Sequence, residues 1–509
     1  MRTTTRRVAA LVAAPALALG LVSGFGPAAQ AAPGPSSTSA ASWLTTQLSN
    51  GLFRPGGTVN YSVSIDIALG QLEGGNPAVA TQIRDAIAPS VNDYIQNGAT
   101  QYGVRTAQVL DLVQATGGNG TAFGGVNLVS RLESLTAADG KLTDSNGGSY
   151  SAYGQALGVD ALTAAKSPEA AQATAFLLGQ QCPAGFFIPF EGTACGDESA
   201  PDTDATAQAV LGLQGRLAEP NVKAAVDRAI AWLKARQAAD GSFIGSSFVP
   251  SANTNSTGLA AAALGASCEV GAADRAGTFL RSLQVPAGTT GPLATAVGAV
   301  AYDQATLTDG RTNGIDPADV YSWRLPTAQA ALGLPWDKTA KSELRLRGPK
   351  GGYVKAGATS TFRIKGAPDG ERVCVTTPTG TQAVTVTGGK VEVTVKTRRK
   401  ATEAYTVSAT TGPGEVAKTV TPLPRTRLKA AFAKRVERGD RVVVKVRKLA
   451  SKERARIVVD GKVVAKGKAN AKGVFVARFR ARYGLGQHKL VAQGAYGNRK
   501  AVYRFTVTR

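Results

Sequence analysis

The stretch that decides the fold is Trp232-Leu-Lys-Ala-Arg-Gln, followed by Asp240-Gly241-Ser242-Phe243 and then Thr257-Gly-Leu-Ala-Ala-Ala-Ala-Leu. The first segment mixes charged and apolar residues, as a helix laid over a core does. Asp-Gly is a turn signal. The last segment is almost pure Ala and Leu, which suits a helix buried on all sides. A charged outer helix, a Gly turn and an uncharged inner helix make one hairpin.

The same unit recurs on either side. Thr-Ala-Gln returns in Thr106-Ala-Gln-Val-Leu, Thr206-Ala-Gln-Ala-Val-Leu and Thr327-Ala-Gln-Ala-Ala-Leu. Weaker copies are Asp66-Ile-Ala-Leu, Gly154-Gln-Ala-Leu and Thr295-Ala-Val-Gly-Ala-Val. Trp43, Tyr94, Phe176, Trp232 and Phe279, with Leu132 in the equivalent place, anchor the amphipathic partners at intervals of 38–56 residues. A period of that size is two helices and two loops. Six such hairpins can close into a double ring. An open solenoid is the alternative, although its two helices are usually more alike in polarity.

The Trp-Leu…Gln…Asp-Gly-Ser-Phe…Thr…Ala-Leu pattern resembles the prenyltransferase and squalene–hopene cyclase repeat over roughly residues 40–337. The resemblance implies a terpenoid cyclase-like α/α toroid of about six helical hairpins. Families on this architecture have unrelated activities, so function has to come from the residues. Protein prenyltransferases use an Asp/Cys/His zinc site, but the one histidine here is His488. Thioester domains use Cys-Gly-Glu-Gln, and Cys195-Gly196-Asp197-Glu198 lacks the Gln. Class II terpene cyclases protonate an alkene with the middle Asp of Asp-x-Asp-Asp. Asp202-Thr203-Asp204-Ala205 lacks the final Asp, which leaves Asp202 and Asp204 as the catalytic candidates.

A structural role competes for both aspartates and is preferred. Asp202 or Thr203 caps the inner helix containing Thr206-Ala-Gln, and carboxylates there complement the helix dipole. Four tryptophans in the whole chain are few for a cavity that stabilises carbocations. A lyase would need Tyr150, Tyr153 or Tyr302, and no spacing selects them. A serine hydrolase lacks both Gly-x-Ser-x-Gly and a histidine in the ring. No cofactor or metal set emerges, and the ligand of a central cavity is not named by these residues.

The N-terminus reads as an export signal over residues 1–31. Arg2, Arg6 and Arg7 precede the apolar stretch Val8–Val22, and Ala29-Gln30-Ala31 gives a small-x-small cleavage pattern. The apolar run is short for a membrane span. Export permits oxidised cysteines. Cys182 and Cys195 are expected to pair, which stabilises by roughly 3 kcal/mol in the chain-entropy model. Cys268 and Cys374 lie in different predicted domains and are expected to be buried free thiols, with a bridge between them as the lesser alternative.

Charge divides the chain. Residues 338–509 hold 40 Lys/Arg against 10 Asp/Glu, whereas the first 337 residues hold 18 against 25. The boundary falls near Pro335–Leu344. Beyond it, two segments alternate strands and turns: 341–424, with Ser360-Thr-Phe-Arg-Ile-Lys, and 425–509, with Arg441-Val-Val-Val-Lys-Val-Arg and an Asp460-Gly461 hairpin. They resemble bacterial immunoglobulin-like domains, so the full expectation is an α/α toroid followed by two Ig-like β-sandwiches. The last module has 25 Lys/Arg against 4 Asp/Glu.

In an exported chain that excess points to anionic cell-envelope polymers and not to nucleic acid. Solubility and edge protection compete as explanations. The residues favour a secreted or cell-surface, non-catalytic binding or scaffold protein. Its toroid would recognise an unidentified ligand or partner, and its basic modules would serve as spacer and anchor. The alternative is an exported enzyme on the toroid, carbohydrate-active or a divergent terpenoid cyclase using Asp202 and Asp204.

Overall fold

A computed structural model describes residues 35–148, 151–336, 344–367, 372–386, 388–410 and 415–509. The proposed signal peptide, Tyr150 and the segment 337–343 lie outside the described residues. Helices dominate up to Trp336 and strands from Arg345 onward. No helix among the described residues is long and apolar enough to cross a membrane.

The helices are α1 (Pro35–Thr46), α2 (Tyr61–Glu73), α3 (Pro77–Ile87), α4 (Val91–Ile95), α5 (Gly103–Ala115), α6 (Leu128–Ser134) and α7 (Ala152–Ala164). They continue as α8 (Ala170–Gly179), α9 (Thr203–Gly212), α10 (Pro220–Arg236), α11 (Thr254–Ala266), α12 (Val270–Ser282), α13 (Gln304–Asn313) and α14 (Arg324–Gly333). Six of them, α2, α5, α7, α9, α11 and α14, pack one on the next, and α14 returns to α2. These are the Ala-rich helices of the repeat. In α11 every residue from Ser256 to Ala266 is buried. The anchors Trp43, Tyr94, Leu132, Phe176, Trp232 and Phe279 all sit on the helices between them and join the same apolar core.

One hydrogen bond, repeated, sets the register of the ring. The hydroxyls of Ser64, Thr206, Thr257 and Thr327 accept from the N–H groups of Phe53, Phe187, Phe243 and Val300, at 3.0, 3.1, 2.9 and 2.8 Å. In α7 the Gln155 side chain does the same for Leu142 at 2.8 Å. On these helices the motif's threonine, or the residue in its place, pins the incoming turn to the start of the inner helix, whereas in α5 the Thr106 hydroxyl donates to the Tyr102 carbonyl. The Thr295 copy is a correction: it is not an inner helix. Its backbone pairs back on the preceding segment, Val285 N–H to Ala299 and Gly298 N–H to Val285. It forms the turn that Thr327 of α14 holds through the Val300 N–H, and its amides are paired there and not in a helix.

The strands of the third region are β1 (Arg345–Arg347), β2 (Tyr353–Lys355), β3 (Thr359–Lys365), β4 (Arg372–Thr377), β5 (Gly380–Thr385), β6 (Val391–Lys396), β7 (Tyr405–Thr410) and β8 (Glu415–Leu423). They form two sheets, β5-β4-β7-β8-β2 and β6-β3-β1, that share one apolar core including Phe362, Val375 and Val407. The Gly388-Gly389 connection therefore carries the chain from one sheet to the other.

The last region repeats this plan with β9 (Thr426–Arg427), β10 (Lys429–Ala431), β11 (Arg435–Glu437), β12 (Arg441–Arg447), β13 (Arg454–Val459), β14 (Lys462–Lys468), β15 (Phe475–Arg480), β16 (Gly486–Gln493) and β17 (Arg499–Thr508). One sheet runs β9-β17-β16-β13-β14, with β11 also on β17, and the other β10-β12-β15. Asp460 and Gly461 turn between β13 and β14 with φ of 46° and 84°, the positive angles a tight two-residue hairpin needs.

The regions are fastened to one another. Cys182 bonds to Cys195. Cys268 bonds to Cys374, which corrects the expectation of free thiols: the turn after α11 meets β4 with a Cα–Cα distance of 5.5 Å, inside the range a disulfide spans. Within the last region, Arg499 grips Glu453 with two hydrogen bonds of 2.8 Å. It also donates to the carbonyl of Pro424 and the hydroxyl of Thr426 in the connecting segment. Glu453 is fully buried and Arg499 nearly so. With the Ala450 and Ala495 amides also donating to Glu453, this buried pair is satisfied, as a stable one must be.

Candidate functional site

The register bond decides which residues face the middle of the ring. Two positions after it, and two after Thr106 in α5, come Asp66, Gln108, Leu157, Gln208, Leu259 and Gln329, and all line one cavity. Leu69, Asp111, Asp160, Leu211 and Leu332 lie three residues further on and line it too, because residues three apart share a helix face. The Gln of each Thr-Ala-Gln is therefore a cavity residue. The cavity measures about 30 Å³, room for roughly two water-sized groups.

Its walls are aliphatic side chains, three glutamine amides, Tyr153 and three carboxyls, with no lysine, arginine or histidine among them. Asp111 and Asp160 are 4 % and 5 % exposed. Burial pushes the carboxyls of Asp66 and Asp111 up to about 7, since a charge removed from water is costly. Asp66 keeps some surface, and that surface faces the cavity. The Tyr153 phenol is held well above its usual value by burial and by the charges of Asp66, Asp204 and Asp111. The Tyr94 hydroxyl donates to the Gln108 side chain, and its phenol is pushed up to about 12, chiefly by burial.

The two sequence candidates part company here. Asp202 caps α9, accepting from the Ala205 N–H at 2.7 Å. Asp204, in the first turn of the same helix, turns to the interior beside Ser256 and within electrostatic reach of Tyr153. Burial, reinforced by Asp202, raises its carboxyl to about 7, and its Oδ1 is buried with no hydrogen-bond partner. It stands next to the cavity without lining it. Tyr153 lines the cavity and Tyr302 does not. Cys195 is held in its disulfide, so it has no free thiol for a thioester.

Asp66, Asp111 and Asp160 were not singled out by motif reasoning. The signal was present: each carboxylate interrupts a mainly apolar inner helix, Asp66 at the position of the motif's Gln and Asp111 and Asp160 three residues beyond that position. Among the described residues no group of three or more His, Cys, Asp or Glu could hold a metal ion.

The last sheet region carries the opposite charge. Its pairing register aligns Lys466 with Arg456, Arg456 with Gln493, Gln493 with Lys500, and Lys500 with Arg427. Paired residues point to one face, and all four cations are exposed. At about 4.8 Å per strand the row runs roughly 19 Å across five strands. The other sheet exposes Arg441, Lys445, Arg447, Arg478 and Arg480.

No family model matches the sequence, and no curated protein matches it. Among solved structures the chain is similar to a protein from Actinoplanes (18 % identity, 60 % of this chain and 99 % of that one, TM-score 0.42). It is also similar to the type II terpene cyclase MstE from Scytonema (14 %, 59 % and 96 %, TM-score 0.41) and to an α-amylase from Clostridium perfringens (11 %, 60 % and 98 %, TM-score 0.43).

Proposed function

We propose that this is an exported, envelope-retained binding protein. The helical ring, an α/α toroid of six hairpins, is its recognition unit, and two Ig-like sandwiches are its spacer and anchor. The observation that carries the anchoring role is the row Lys466, Arg456, Lys500 and Arg427 on one sheet face. Anionic cell-envelope polymers complement such a face through long-range attraction without specific contacts. The binding role of the ring is supported over a cyclase by cavity size: about 30 Å³ has no room for a terpenoid. The capping role of Asp202 also removes one of two carboxylates such chemistry would use.

Retention by charge must be salt-sensitive, because the screening length falls from about 10 Å at 0.1 M salt to about 3 Å at 1 M. Purified protein added to intact bacterial cells should bind at low salt and wash off before 1 M sodium chloride. Replacing Arg427, Arg456, Lys466 and Lys500 by Glu should weaken low-salt retention and lower the salt concentration at which the protein washes off. Protein that survives the 1 M wash, or never binds, would overturn the anchoring role.

A further inference from the structure

The central cavity is charged in one sense only: Asp66, Asp111 and Asp160 line it and no basic side chain does. A second feature points to a ligand independently of the acids. Gln208 is 6 % exposed and lines the cavity, and its amide meets no partner among the described residues. Buried polar groups in native proteins are almost always paired, so an unpaired amide facing a cavity implies a guest.

The chemistry of that guest follows by comparison. Anions are repelled by the carboxylates. A metal ion needs several acids converging on one point, and the described residues contain no such group. An ammonium group has three N–H donors and a positive charge, which suits acceptors spread over separate helices: Asp66 on α2, Asp111 on α5 and Gln208 on α9. Hydrogen bonds from a cation to a carboxylate are also the strong ones. The volume of about 30 Å³ suits a small head group, and Leu157, Leu211 and Leu332 of the same lining give apolar surface for the methylene bonded to it.

We propose that the cavity binds the ammonium head of a primary alkylamine, held by Asp66, Asp111 and the Gln208 side-chain carbonyl. The proposal rests on the reading of the ring as a recognition unit. Calorimetric titration of the full chain with butylamine and with 1-butanol tests it. Butylamine should give saturable binding and butanol none. Asp111→Asn and Gln208→Leu should each weaken butylamine about ten-fold or more with the circular dichroism spectrum unchanged. Gln208→Glu, which adds an acceptor charge, should tighten it and serves where the other variants fail to fold.

Equal binding of butanol and butylamine would overturn the ammonium assignment while leaving the ring a recognition unit. So would unchanged or weaker affinity in Gln208→Glu. Absence of heat with both probes would overturn the assignment too. Conversion of butylamine into a product would instead overturn the non-catalytic reading itself.

Discussion

At the scale of single residues, Asp204 is where sequence and structure differ most usefully. Its neighbour Asp202 does what helix-cap chemistry predicts, which was legible from its place before Thr206-Ala-Gln. The inward turn of Asp204 was not legible, because direction into the ring depends on Ser256 and Tyr153, contributed by other helices. Its carboxyl holds its proton to about pH 7, against 3.8 for the free group. A proton held more tightly in the folded chain makes folding favourable at low pH and progressively less so as pH rises. The loss begins near pH 4 and is complete above pH 7. Asp204→Asn removes the titration while keeping a hydrogen-bonding group beside Ser256. Its melting temperature should match the parent near pH 4 and exceed it at pH 8. A difference that stays constant across that range would show that the Asp204 charge is not the cause.

At the scale of elements, Thr-Ala-Gln in α9 and α14 condenses three jobs into three residues: Thr bonds the turn, Ala packs, and Gln faces the cavity. The hairpins were readable because charge and its absence alternate with the helices. The Thr295 segment misled because its alanines match an inner helix in composition, while its hydrogen bonds to Val285 are invisible to composition. Small residues on the inner helices also set their spacing. A Cβ added at Gly258 would lie 2.3 Å from the backbone oxygen of Gln329 on α14, and backbone cannot rotate away. Gly258→Ala should destabilise by about 1–3 kcal/mol, read from the denaturation midpoint. Gly271, on α12, has nothing within 4 Å of an added Cβ. Gly271→Ala there should be neutral or stabilise by up to about 1 kcal/mol. Equal effects at both sites would mean that close approach does not set the spacing of the ring.

At the scale of the whole molecule, composition divided the chain into acidic helical and basic stranded parts but showed nothing of how they are joined. Periodicity reports local neighbours, and Cys268 and Cys374 are separated by 106 residues. Nothing local marks either as half of a pair. Their bond makes the ring and the first sheet region one covalent body beyond the single strand of chain at 337–343. In the chain-entropy model a closed loop of about 100 residues stabilises by about 4.7 kcal/mol. It also keeps the basic sheet regions attached to the ring if the connecting chain is cut. A protease site inserted between Trp336 and Leu344 tests this in the full-length protein. After cleavage the two fragments should migrate together in a gel without reductant and separate when dithiothreitol is added. In Cys374→Ser they should separate without reductant. Fragments of the cleaved parent that part without reductant would show that the bond does not form, and the two halves would then be joined by the chain alone.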